Sequence, residues 1–132
     1  MKKILPIALI LLILLSATCF AAYEPDSTRW QWLYSGDEFG TFLDKDTIRY
    51  SDDHSEVDFW LCIVCPQENV HYLQNYKINK KDMNIFLLHE AKYNSSTHNV
   101  IDSRTYQFWQ LHPSKIIPGT NGEIWYRIFF PN

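Results

Sequence analysis

The chain has 132 residues, with 12 basic side chains, 15 acidic side chains and a formal net charge of −3. This acidic balance excludes a typical nucleic-acid-binding protein, which needs Lys and Arg to neutralise phosphates. The chain contains only four glycines and six prolines, which excludes a low-complexity or disordered protein. Its length fits one domain with a modest hydrophobic core.

The first 21 residues have the three parts of a bacterial secretory signal peptide. Lys2 and Lys3 precede an apolar run over residues 4–15, and residues 16–21 are mostly small. This arrangement predicts export with cleavage after Ala21, to the periplasm, the cell surface or the medium. Cleavage removes two of the 12 basic residues and none of the 15 acidic ones, so the formal net charge of the mature chain becomes −5.

Two alternatives for this segment stay open. An uncleaved membrane anchor needs about 20 apolar residues, and Ser16 and Thr18 weaken the run. A lipoprotein would be lipidated at Cys19, although Thr18 stands where a smaller residue is usual. After cleavage, no other stretch is long enough to span a bilayer.

The mature chain is predicted to begin with a leader over residues 22–28, followed by a domain over residues 29–130. Trp30, Trp32 and Tyr34 alternate with other residues, which predicts a half-buried strand carrying all three rings on one face.

Two further short strands are predicted over residues 40–44 and 48–50, separated by a polar turn. In that turn, Asp44 is expected to accept a hydrogen bond from the backbone amide two residues later.

The longest apolar alternation, over residues 56–65, predicts the central strand, and further strands are predicted over 70–79, 83–93 and 100–109. A helix stays open for 83–93, but the short polar turns around it favour a strand. Three sets of alternating residues are each expected to share a face: Val57, Phe59, Leu61, Ile63 and Cys65; Val70, Tyr72, Tyr76 and Ile78; Ile85, Leu87, His89, Ala91 and Tyr93.

The C-terminal segment is predicted to be a helix. Thr120 and Glu123 have the spacing of a capping box, in which each side chain accepts from the other residue's backbone amide. A helix from this point places residues 124 and 128, and residues 125 and 129, four positions apart on adjoining faces. An aromatic final strand is the alternative.

Cys62 and Cys65 are the two cysteines of the mature chain. Their Cys-x-x-Cys spacing lies in an apolar strand, where side chains three positions apart point to opposite faces, and this geometry opposes redox catalysis. Unpaired thiols and a local disulfide formed through a bulge both stay open. No second pair follows that would complete a zinc site.

The sequence predicts no catalytic residue, no cofactor and no metal site. The five histidines are scattered, and His89 is the one most expected to be buried. The acidic turn around His54 is interpreted as a solvated loop. A small hydrolase built around His89 or this turn is the alternative, and it requires a pocket with a histidine beside a carboxylate or hydroxyl.

The aromatic side chains are the most suggestive feature, because the mature chain holds 20 of the 21. Large rings fill the core of a small sheet, and exposed aromatic patches mark recognition surfaces. The sequence therefore favours a non-catalytic binding module with a protein partner outside the cytoplasm. A periplasmic inhibitor or chaperone-like protein is the other alternative.

Two segments of the chain resemble the surface-adhesin protein E-like family. They are Trp30-Gln31-Trp32-Leu33-Tyr34-Ser35 with Gly40-Thr41-Phe42-Leu43-Asp44 and Thr47-Ile48, and the closing Ile117-Pro118-Gly119-Thr120-x-x-Glu123. The similarity covers about residues 29–130. The matching motif positions are Trp30, Trp32, Gly40, Asp44, Pro118, Gly119 and Glu123.

The resemblance implies an α+β, mainly β fold: a single antiparallel sheet of about six strands with a C-terminal helix packed on one face. It also implies an exported bacterial protein, and adhesion to other proteins is the function of the name-giving member. In that adhesin a cysteine near the C-terminus ties the helix to the sheet. Here Ile128-Phe129-Phe130 occupies that region, so packing by Trp125, Ile128 and Phe129 is expected to hold the helix.

Overall fold

The computed structural model describes residues 23–132. The predicted signal peptide, Cys19 and Ala22 lie outside the described residues. Within them the chain forms eight antiparallel strands and one α-helix, which confirms the predicted fold class. The strands are β1 (Trp30–Ser35), β2 (Gly40–Asp44), β3 (Arg49–Tyr50), β4 (Glu56–Cys65), β5 (Val70–Asn79), β6 (Asn84–Asn94), β7 (Val100–Thr105) and β8 (Ser114–Lys115), and the helix is α1 (Asn121–Phe129).

The sheet follows the chain as a meander. Its main path runs β1-β2-β4-β5-β6-β7, while β3 pairs with β4 and β8 pairs with β6. The long strands β4, β5 and β6 lie at the centre, and β1 and β7 form the two edges. Short connections join antiparallel neighbours, which explains why the polar turns in the sequence mark the strand ends so well. The strand preferred for residues 83–93 is confirmed as β6.

The core lies on one face of the sheet, named here the helix face. Alternating residues of β4 and β5 supply it, as the period-two pattern predicts, because directly opposite residues of antiparallel strands share a face. Phe59 is fully buried, and its ring lies 4.4 Å from that of Phe129 and 6.2 Å from that of Trp125, measured between centroids. The other buried members are Leu43, Val57, Leu61, Ile78, Ile116 and Phe130.

The helix packs through Trp125 and Phe129, which lie four positions apart on one face. Two hydrogen bonds fix it: the Trp125 indole donates to the Tyr34 hydroxyl at 3.1 Å, and the Tyr50 hydroxyl donates to the Phe129 carbonyl at 3.1 Å. The expected contribution of Ile128 is wrong, since its side chain is 41% exposed. Apolar packing and these two bonds hold the helix.

The start of α1 differs from the predicted capping box. Thr120 precedes the helix as expected, but its hydroxyl donates to the Ile117 carbonyl at 2.6 Å and makes no cap. Glu123 accepts from the Gly119 amide at 2.6 Å and from the Arg127 guanidinium. Gly119 has a φ of 82°, which favours glycine, so the Pro118-Gly119 turn carries the amide that Glu123 binds.

Two β-bulges overturn the expected faces of β1 and β6. In β1 the register shifts between Trp32 and Tyr34, so Trp32 lies opposite Phe42 and Tyr34 lies opposite Thr41. Trp30 and Trp32 therefore lie on the second face of the sheet, while Tyr34 joins the helix face. A bulge adds one residue to one strand, and the side chains beyond it change face.

In β6, His89 lies opposite Asn75 of β5 and Leu87 lies opposite Tyr76. Leu88 has no partner on β5 and is the extra residue of the bulge. Ile85 and Leu87 lie on the helix face, as expected. Residues 89, 91 and 93 lie on the second face, so the predicted single face for all five is wrong.

The last long strand is shorter than predicted. Residues 100–105 form β7, and residues 108–110 form a 3-10 turn in place of the predicted strand end. Within residues 23–132, no helix is long and apolar enough to cross a membrane.

The segment before β1 packs onto the second face. Tyr23 stacks on His71 with centroids 4.0 Å apart, and Pro25 is buried. The predicted leader therefore contributes a contact to the sheet at Tyr23.

Candidate functional site

The bulge in β6 places His89 on the second face of the sheet. There Trp60, Asn75, His89 and Thr105 lie directly opposite one another across β4, β5, β6 and β7 and form one transverse row. The Trp60 and His89 rings are nearly parallel, at 14°, with centroids 5.9 Å apart. Both residues are half-buried, so part of each side chain stays accessible.

Asn75 lies between Trp60 and His89 in this row, on the middle strand β5, and is buried, with 4% of its surface exposed. Its amide nitrogen donates to the Asp58 carboxylate and, at 3.0 Å, to the Phe59 carbonyl. Both partners are acceptors, which fixes the orientation of the amide. The amide oxygen accepts no hydrogen bond from the described residues and is not enclosed by them.

A cavity of about 280 Å³ opens over this row and is named here the second-face cavity. Its lining residues are Thr47, Arg49, Asp58, Trp60, Asn75 and His89. Arg49 lies opposite Asp58 across β3 and β4, and no ion pair among the described residues includes Arg49. The cavity thus combines flat aromatic surface with donors and acceptors of hydrogen bonds.

The hydrolase alternative requires a pocket with a histidine beside a carboxylate or hydroxyl. His89 is half-buried, and its Nδ1 lies 2.9 Å from the Thr105 hydroxyl. Asp58 lines the same cavity as His89, so a carboxylate and a hydroxyl both lie near this histidine. The groups that the hydrolase alternative needs are therefore present, beside groups that suit binding.

The buried histidine is His71, which corrects the expectation for His89. Its ring lies between those of Tyr23 and Tyr93, and its Nδ1 lies 3.0 Å from the Ser95 hydroxyl. Burial, with the nearby His98, lowers the pKa of His71, so the neutral ring is favoured. The stack fixes the chain before β1 on the sheet.

The acidic turn around His54 is a hydrogen-bonded loop. The Asp53 carboxylate accepts from the Ser51 hydroxyl and from the hydroxyl and amide of Ser55, and these bonds lower its pKa to about 2. Within residues 23–132, no three His, Cys, Asp or Glu side chains come together as a metal site. The turn has a structural explanation.

Cys62 and Cys65 are both free thiols. Cys62 is buried on the second face opposite Phe42, whereas Cys65 lies at the end of β4 opposite Val70. The strand continues through both residues, and of the two alternatives left open by the sequence the structure has the unpaired thiols.

The two thiols are expected to differ in reactivity, because the thiolate is the reactive form and burial raises the pKa of Cys62 to about 12. In folded protein at mildly alkaline pH, iodoacetamide should modify Cys65 slowly and leave Cys62 unmodified. Both should react in denaturant, as peptide mass spectrometry would show. Equal rates for the two thiols in the folded protein would contradict the buried position of Cys62.

Asp44 is the most strongly held of the residues that carry the resemblance described above. Its buried carboxylate accepts from the Arg29 guanidinium at 3.0 and 2.6 Å, and from the Asp46 amide at 3.1 Å as predicted. Burial opposes its ionisation, but the bonds from Arg29 and Asp46 outweigh it and hold the pKa below its usual value. This pair joins the start of β1 to the end of β2.

The other motif residues also have structural positions. Trp32 is 59% exposed, and its indole donates to the Ser35 hydroxyl at 2.9 Å. A Cβ on Gly40 would lie 3.3 Å from the Phe42 ring, so the β1–β2 connection leaves little room for a side chain there. The motif therefore stabilises the fold at the start of the sheet and before the helix.

The most exposed aromatic side chains lie in the 3-10 turn after β7. Phe108 is 87% exposed and Trp109 is 78% exposed. The turn is closed by hydrogen bonds, because the Gln107 amide donates to the Gln110 side chain at 2.9 Å and the Gln110 amide donates to the Gln107 carbonyl at 2.8 Å. The turn Phe108–Gln110, with its two exposed rings, is named here the aromatic turn.

Comparison with known proteins indicates no function, so the proposed function rests on the candidate sites. The sequence matches no protein family, and no curated protein and no solved structure is significantly similar to it.

Sequence reasoning missed both candidate surfaces. The strand predicted over residues 100–109 includes the aromatic turn, and the only signal against a strand there is the break in alternation at Phe108-Trp109. The second-face cavity depends on a bulge at Leu88, for which the sequence has no local sign.

Proposed function

We propose that the chain is an exported bacterial binding module of the surface-adhesin protein E-like kind, which recognises a protein partner outside the cytoplasm. The observation that carries the proposal is the aromatic turn, where two adjacent rings are largely in solvent. The basic and apolar pattern of the first 21 residues supports export.

The aromatic turn has the properties of a contact surface. Moving an aromatic ring out of water is favourable. Two adjacent rings that stay in solvent therefore indicate a role other than stabilising the fold. Hydrogen bonds within the turn hold the backbone of Phe108 and Trp109 although the rings are exposed. Binding therefore requires little further ordering of this backbone. Trp and other aromatic residues are frequent anchors of protein interfaces.

Strand β7, which precedes the aromatic turn, is an exposed edge strand. Val100 and Ile101 are more than half exposed there, and all six residues of β7 are exposed.

The proposal is tested by a pull-down with the mature domain, residues 22–132, against matrix proteins and periplasmic extract. The double variant Phe108→Ala/Trp109→Ala should lose the captured partner, whereas Trp32→Ala should keep it. Trp32 is a matched control because it is an exposed tryptophan on β1, at the opposite edge of the sheet. Equal capture by both variants would overturn the proposed surface.

The same experiment separates adhesion from an inhibitor or chaperone-like role. Capture of matrix proteins supports adhesion, and capture of an exported bacterial protein supports the other role. Intact mass of the exported chain measures cleavage after Ala21 and the state of the cysteines.

A further inference from the structure

We propose that the second-face cavity binds one pyranose ring of an uncharged glycan. This inference goes beyond the proposed protein partner, because it uses none of the residues of the aromatic turn. It rests on the hydrogen-bonding groups, the charge balance and the ring surfaces that the cavity brings together.

The hydrogen-bonding groups of the cavity are both donors and acceptors. The free amide oxygen of Asn75 and the second oxygen of Asp58 accept, and the Arg49 guanidinium donates. A sugar hydroxyl donates and accepts at once, so neighbouring hydroxyls can bond an acceptor and a donor together. Because Asn75 is held by two hydrogen bonds, its oxygen is already oriented before a ligand arrives.

The charge balance of the cavity favours an uncharged ligand. Arg49 and Asp58 lie opposite each other and contribute one positive and one negative charge. An anion would bring its charge against Asp58, and a cation would bring its charge against Arg49. Hydroxyl groups bond both side chains without that repulsion.

The aromatic rings supply the remaining surface. Trp60 and His89 both line the cavity and are half-buried, and aromatic ring surface suits the C–H side of a pyranose ring. A cavity of about 280 Å³ is small for a drug-sized ligand but has room for one sugar ring.

The test is saturation-transfer NMR of the exported protein with the methyl glycosides of glucose, galactose, mannose and N-acetylglucosamine. At least one should receive magnetisation from the protein, with a dissociation constant of about 1 mM, as suits a small ligand with few atoms. Trp60→Ala and Arg49→Ala should each weaken this binding at least about tenfold.

Matched controls are Trp32→Ala and Arg104→Ala, which remove the same residue types at exposed positions outside the cavity. Both should leave glycoside binding unchanged. If Trp60→Ala fails to fold, Arg49→Ala decides, since its side chain is exposed and its loss leaves the core intact.

Three results would overturn the proposal: no transfer to any glycoside, binding that Arg49→Ala and Trp60→Ala leave unchanged, or binding of the zwitterions glycine and L-phenylalanine in place of the glycosides. The proposed protein-binding function fails separately, through the Phe108→Ala/Trp109→Ala variant.

Discussion

Replacing Phe59 with alanine is expected to lower the free energy of unfolding by about 3–5 kcal/mol. Phe59 is fully buried at the centre of β4, and its ring lies within 6.2 Å of the Phe129, Tyr76 and Trp125 rings. Its removal leaves a cavity between the sheet and the helix, which the surrounding rings cannot fill without leaving their positions. Urea denaturation followed by circular dichroism measures the change.

The matched control for this prediction is Phe108→Ala, which removes the same side chain from an 87% exposed position. Its free energy of unfolding should stay within about 0.5 kcal/mol of wild type. A Phe59→Ala protein as stable as the Phe108→Ala protein would show that the helix does not pack on Phe59.

Asp44→Asn is expected to lower the free energy of unfolding by about 1–3 kcal/mol at neutral pH. The substitution removes the charge that the Arg29 guanidinium meets with two hydrogen bonds, while Asp44 itself is buried. Arg29 stays half exposed and can be hydrated, so the loss is smaller than for a fully buried pair. Thermal or urea unfolding of the two proteins gives the difference.

This difference should depend on pH in one direction. The folded-state pKa of Asp44 is lower than its unfolded value, so the stabilisation is present above the unfolded pKa of about 3.9. It is lost as the pH falls through the folded-state pKa, where the protonated carboxyl resembles the amide of asparagine. The two stabilities should therefore converge in strong acid, and a gap that stays constant down to that pH would contradict the role of the ion pair.

The predictable part of the fold came from regular alternation and from turn residues. Glu56–Cys65 reads as a strand because its apolar residues repeat every second position, and the structure places Val57, Phe59 and Leu61 in the core. The helix begins after Thr120, where a turn signal precedes an amphipathic run. These signals are local, so one sequence is sufficient to locate them.

The errors have a common physical cause, which is that a bulge depends on pairing between strands. The extra residue at Leu88 changes the face of every later side chain in β6, and it takes His89 from the core to the second face. The bulge after Trp32 has the same effect on Tyr34. The exposure of Ile128, which was expected to pack together with Trp125 and Phe129, likewise depends on which face of the helix the sheet contacts.

The candidate sites were less predictable than the fold for the same reason. Asn75 and Trp60 lie 15 positions apart in the chain, and only the β4–β5 register brings them opposite each other. The motif residues Asp44 and Gly119 were recognised in the sequence, but the structure gives them roles in the fold.

The central claim is that the aromatic turn binds a protein partner, and the dissociation constant of the captured partner tests it most directly. We expect the Phe108→Ala/Trp109→Ala protein to bind at least about tenfold more weakly than wild type, with an unchanged urea midpoint, because interface aromatic anchors contribute strongly to affinity. The same dissociation constant for both proteins would contradict the claim.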